Sequence, residues 1–167
     1  MNQYFGKYRG KVTNNLDPEQ MGRIQVSCPA VFGTGQLNWA MPSVPYAGIQ
    51  CGFYAIPAIQ ANVWIEFEGG DIEKPIWSGC FWGTGEAPAV ALATPTSVPH
   101  IVMQNTGQSM LQVSDLPGPT GGIILKTKSG EMIMINETGI TITNGKGAII
   151  TLTAKITDIN GGALTIT

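Results

Sequence analysis

The chain has 167 residues, 22 of them glycine and 11 proline, with 12% charged residues and a formal net charge of −2. That balance provides no basic footprint for nucleic acid and no charged amphipathic helix for a membrane surface. Because 43% of the residues are hydrophobic, disorder is excluded too. Glycine, proline and many β-branched residues point to strands and turns.

No apolar run reaches the roughly 18 residues that a membrane span needs. The opening Met1-Asn2-Gln3-Tyr4-Phe5-Gly6 lacks a charged segment followed by an apolar one, so synthesis in the cytoplasm without a signal peptide is expected. Cys28, Cys51 and Cys80 are odd in number, widely spaced and without a Cys-x-x-Cys pair. Buried, reduced thiols are expected rather than a disulfide framework or a zinc site.

Residues 1–83 read as one β domain. Tyr8-Arg9-Gly10-Lys11-Val12-Thr13 begins a strand, and Asn14-Asn15-Leu16-Asp17-Pro18 is a turn cluster. Gly22-Arg23-Ile24-Gln25-Val26-Ser27 alternates polar and apolar residues. Val63, Ile65 and Phe67 share one side of a strand, and Glu66 and Glu68 the other. Gly69-Gly70-Asp71 turns the chain, and Pro75 to Trp82 supplies a last strand. Short strands with Gly/Pro punctuation suit a small Greek-key barrel of the OB-fold type.

Residues 84–120 read as a Pro/Ala-rich joint, extended and weakly structured. From Gly121 to Thr167 a repeat appears: Gly122, Gly130, Gly139 and Gly147 recur at spacings of 8, 9 and 8, with short β stretches between them. That pattern belongs to β-solenoids and β-helices. One short strand per repeat cannot bury both its faces alone. Three chains, each giving one side and pairing strands with the others, could do so and leave almost no free edge. The expected fold is therefore all-β: an N-terminal OB-fold barrel followed by a C-terminal intertwined triple-stranded β-helix in a homotrimer. A monomeric β-meander is the plainer alternative. Ile123, Leu125, Met132, Met134, Ile140, Ile142, Ile150 and Leu152 are the candidate trimer core, although the neighbouring Ile133 and Ile135 leave the inward parity open.

Candidates for chemistry are few. His100 is the single histidine; Ser97, Ser109 and Ser114 lie near it in sequence, but none sits in Gly-x-Ser-x-Gly. Glu66, Glu68, Asp71 and Glu73 could form a hydrolytic carboxylate pair, yet they flank a strand and a turn where solvated charge belongs. Gly33-Thr34-Gly35 and Gly83-Thr84-Gly85 lack the Gly-Lys-Ser/Thr of a phosphate loop. Trp39, Trp64, Trp77, Trp82, Phe53 and Tyr54 could make a stacking platform, but acidic side chains rather than Arg and Lys surround the central ones. No catalytic residue, metal or cofactor is expected. The competing class is a monomeric OB-fold module that binds single-stranded nucleic acid or carbohydrate.

Tyr8-Arg9-Gly10-Lys11-Val12, Asn15-Leu16-Asp17-Pro18-Glu19, Gly22-Arg23-Ile24-Gln25-Val26 and Pro29 resemble the opening of the baseplate spike family. That family includes phage baseplate assembly protein V and the OB-fold portion of type VI secretion VgrG proteins. Trp39-Ala40, Pro42, Ala47-Gly48 and Gly52-Phe53-Tyr54 are similar to the middle of its barrel. Pro57, Val63-Trp64-Ile65-Glu66-Phe67-Glu68, Gly70-Asp71 and Pro75-Ile76-Trp77-Ser78-Gly79 resemble its closing strands. Leu125 to Gly130, Ile135 to Ile140 and Ile159 to Thr165 look like turns of a spike β-helix. The resemblance implies a non-enzymatic central spike on the axis of a contractile tail or injection system. It would be a homotrimer, joined to a baseplate hub protein at the OB-fold end and driven through the target envelope on contraction. Contact with the target membrane would be transient. Unlike some relatives, the joint has no room for a lysozyme domain, no hub-like segment precedes Tyr4, and no His-x-His pair marks a metal-binding apex. A separate tip protein of the PAAR-repeat kind is therefore expected at the C-terminal end.

Overall fold

The computed structural model describes residues 3–35 and 37–166. They divide into two units, one running to Glu86 and the other starting at Ala87.

In the first unit, alternation of apolar with polar residues curls five strands into a closed barrel. The barrel strands are β1 (Tyr8–Asn14), β2 (Ile24–Ser27), β3 (Asn38–Pro42), β6 (Asn62–Phe67) and β7 (Pro75–Phe81); between β3 and β6 lies a separate small hairpin of β4 (Ala47–Gly48) and β5 (Cys51–Gly52). Barrel order is β1-β2-β3-β7-β6, antiparallel except for the parallel pair of β3 with β7, which is the strand order of an OB-fold. The short helix α1 (Pro29–Phe32) follows β2 and delivers Phe32 to the core. Val12, Ile24, Val26, Ala40, Val63 and Ile65 are fully buried inside, and Phe67 and Trp77 nearly so in the same cluster.

β6 alternates strictly between buried and half-buried residues, the pattern expected of a strand with one face in the core. Opposite it, Gly10 has no room for a side chain: an added Cβ would lie 2.8 Å from Ile65 Cγ1. With no freedom for the barrel to collapse at that point, Ile65→Ala should cost about 2–5 kcal/mol. Chemical denaturation of the variant, read through tryptophan fluorescence, checks this.

The second unit holds the short helix α2 (Ala89–Ala93) and eight strands: β8 (His100–Gln104), β9 (Met110–Ser114), β10 (Gly122–Lys126), β11 (Met132–Asn136), β12 (Gly139–Thr143), β13 (Ile149–Thr153), β14 (Ile156–Ile159) and β15 (Leu164–Ile166). They form one sheet in chain order, each strand antiparallel to the next. One expectation is corrected here: β8 and β9 lie within residues 84–120, so the latter part of the supposed joint is sheet. The prolines there fall at the borders, with Pro99 before β8 and Pro117 and Pro119 after β9. Within the chain, each strand pairs with its neighbours in sequence, as in a meander.

The turns explain this pairing. Loops 105–109, 127–131 and 144–148, of equal length, close one edge, each by a backbone hydrogen bond across its mouth: Asn105 N–H to Ser109 O, Thr127 N–H to Glu131 O and Asn144 N–H to Ala148 O. At the other edge, Glu137-Thr138 and Ala154-Lys155 turn the chain in two residues. Asn136 Oδ1 accepts the Thr138 N–H at 2.9 Å, and Ala154 takes a positive φ of 49°. Gly139 (φ 134°) is needed for close approach, since a Cβ there would run into the Leu152 carbonyl.

Among the cysteines, only Cys28 is buried; Cys51 and Cys80 are exposed, correcting the expectation of three buried thiols. Burial pushes the Cys28 thiol up from its ordinary pKa.

Candidate functional site

Residues paired directly across antiparallel strands share a face of the sheet, as do residues two apart along a strand. The register therefore sorts the C-terminal sheet into rows. One row runs Ile101, Val113, Ile123, Ile135, Ile140, Leu152, Thr157, Ile166. A second row on the same face runs Met103, Leu111, Leu125, Ile133, Ile142, Ile150, Ile159, Leu164. Every position but Thr157 is apolar. In the single chain this face is bare: Ile101 is 63% exposed, Met103 51% and Leu164 53%.

Between these rows, pointing to the opposite face, lie Val102, Gln112, Ile124, Met134, Thr141, Thr151 and Asp158. Gln112 and Ile124 are buried there, and from β12 onward that row turns to threonine and aspartate. The sheet thus carries one continuous apolar face and a second face that becomes polar toward β15. A contiguous exposed apolar surface of this kind marks a site of protein association.

Of the candidate core residues, Ile123, Leu125, Ile140, Ile142, Ile150 and Leu152 share the apolar face. Met132 and Met134 stand on the other face, where they pair with Lys126 and Thr143, and with Ile124 and Thr141. Ile133 and Ile135 take their places. Val113, Leu111, Ile101 and Met103 also belong to the face, but they lie in the segment whose composition reads as a joint. The alternation in Leu111-Gln112-Val113-Ser114 was the signal available for finding two of them.

The residues considered for chemistry have structural partners. Glu66 is 3.3 Å from the Lys7 ammonium, and Asp71 Oδ1 accepts the Glu73 N–H at 3.0 Å. Glu68 lies 4.0 Å from Lys74. A His100 ring nitrogen is 2.9 Å from Val98 O, and Ser114 Oγ accepts the Leu116 N–H. The tryptophans do not assemble into a platform. Trp77 is buried and donates to Gly22 O, and Trp64 packs on Phe81 at 4.6 Å with the Arg9 guanidinium over both rings. Trp39 lies under Arg23, and Trp82 is 69% exposed. Among the described residues, no group of three or more His, Cys, Asp or Glu could hold a metal ion.

One polar cluster was not read as such from the sequence. Asp17 accepts hydrogen bonds from Arg23 Nε (3.0 Å) and Nη2 (2.7 Å), and from the backbone N–H groups of Glu19, Met21 and Arg23. Its side chain is only 4% exposed. The Arg23 guanidinium, helped by the three N–H groups, holds the Asp17 carboxyl well below the usual carboxylate range against the opposing effect of desolvation. This clasp fixes the turn leading into β2, and it stands on the Asp17-Pro18 and Gly22-Arg23 pairs that carry the resemblance.

Residues 8–82 match the Type VI secretion system/phage-baseplate injector OB domain, and residues 100–165 match the phage baseplate V C-terminal trimerisation domain. No curated protein matches the chain significantly. The two matched regions follow the barrel and the sheet nearly end to end. The chain belongs to the baseplate V/VgrG-like family, which gives it a structural role in the baseplate spike.

Proposed function

We propose that three copies associate through the apolar sheet faces to form the central spike of a contractile tail or injection system, and that this spike punctures the target envelope on contraction. The observation that carries the reading is the apolar face from β8 to β15, broken only at Thr157 and exposed in the single chain. Three such sheets facing inward form a prism with a dry interior, each chain supplying one wall. Because the strands of a wall are hydrogen-bonded to one another along its whole length, load on the end is borne by a continuous ladder. Two partners belong to the proposal: a baseplate hub protein at the barrel end and a PAAR-like tip protein at the β15 end. Membrane contact is brief and mechanical, and assembly takes place after synthesis in the cytoplasm.

Light scattering of the full chain tests this directly. A mass near three times 17.7 kDa at micromolar concentration is expected. A stable single chain would overturn the reading, because the apolar face would then have to remain in water.

A further inference from the structure

We infer that Thr157 is the register key of the spike: in the trimer proposed above, on which this inference rests, the three Thr157 hydroxyls meet as the one polar ring of an otherwise apolar interior. The two inward rows are nearly uniform, isoleucine and leucine recurring from strand to strand. If one chain slides along the others by a hairpin, aliphatic side chains again face aliphatic side chains. Packing alone therefore discriminates poorly between aligned and slipped assemblies. A single polar residue at a core position removes that degeneracy.

Thr157 sits in β14, paired with Leu152 on one side and Ile166 on the other, late in the strand order. A hydroxyl both donates and accepts. Three of them at one level can close a hydrogen-bonded cycle or hold one water between them. In a slipped assembly each hydroxyl instead faces leucine or isoleucine and loses its partners. The aligned register is then the one in which all three are satisfied together.

The test uses the full chain with Cys51 and Cys80 replaced by serine and a spin label on Lys155→Cys in the exposed turn before β14. Pulsed electron resonance measures label-to-label distances, and light scattering follows the mass. The parent and Thr157→Ser, which keeps the hydroxyl, should give one narrow distance. Thr157→Val keeps the shape and the strand preference. It should still give three chains but add longer distances arising from an axial offset of about 10 Å, two strand spacings. A single unchanged distance in Thr157→Val, or loss of its three-chain mass, overturns the inference. A parent that is itself monomeric overturns the trimer reading and this inference with it.

Discussion

Replacing Ile142 by aspartate should turn a three-chain particle into single chains. Ile142 stands mid-sheet on the apolar face, between Ile133 and Ile150. In the proposed trimer the substitution puts three carboxylates into a dry interior that offers them no cation. An uncompensated buried charge costs about 3 kcal/mol or more. Three of them weaken association by about six orders of magnitude. Thr141→Asp, one residue away on the opposite face, should leave the mass unchanged. So should Met134→Asp, since Met134 pairs with Thr141 on that face. Light scattering of the three variants reads out the inward parity residue by residue. Dissociation by Met134→Asp with survival of Ile142→Asp would invert it.

The second large effect concerns the barrel. Asp17→Ala leaves the Arg23 guanidinium, itself 15% exposed, without its buried anion and strips three backbone N–H groups of their acceptor. Unpartnered polar groups near the core are costly, and a fall of about 10 °C in the melting of the barrel is expected. The pH dependence has a fixed sign. The folded-state pKa of Asp17 is depressed, so its contribution is complete above the unfolded value near pH 4 and is lost as the pH falls toward the folded value. The gap in melting temperature between the natural chain and Asp17→Asn should therefore be constant from about pH 8 to pH 5 and shrink below about pH 4. A gap that instead grows on acidification would mean that the carboxylate is not what holds Arg23.

The barrel was legible because its strands have one wet and one dry face. Val63, Ile65 and Phe67 alternate with polar or half-buried neighbours, and the period of two survives in the sequence. The sheet was harder for the same reason inverted. Met132-Ile133-Met134-Ile135 is apolar at every position, so no alternation separates its two sides; only the pairing of Ile133 with Ile142 and Ile135 with Ile140 shows which residues share a face with the isoleucines of β12. β8 and β9 were masked by the prolines around them, although Ile101, Met103, Leu111 and Val113 carry the face onward. The meander itself was hidden because Glu137-Thr138 and Ala154-Lys155 contain neither glycine nor the Asn-Gly type of hairpin signal. Asp17-Pro18 was visible as a turn, but its bond to Arg23 crosses six residues of loop and leaves no periodic trace.

A meander with three equal five-residue loops on one edge makes the width of the sheet a counted quantity. The sheet measures about 35 Å across its strands at the usual interstrand spacing. Inserting or removing one hairpin, such as β11 with β12, changes that by about 10 Å. It also returns the chain to the same edge, travelling in the same direction, with the same rows facing inward. Adding a single strand would instead reverse the path of all that follows. In the proposed trimer, the reach of the structure would therefore change in steps of one hairpin, with the barrel left as it is.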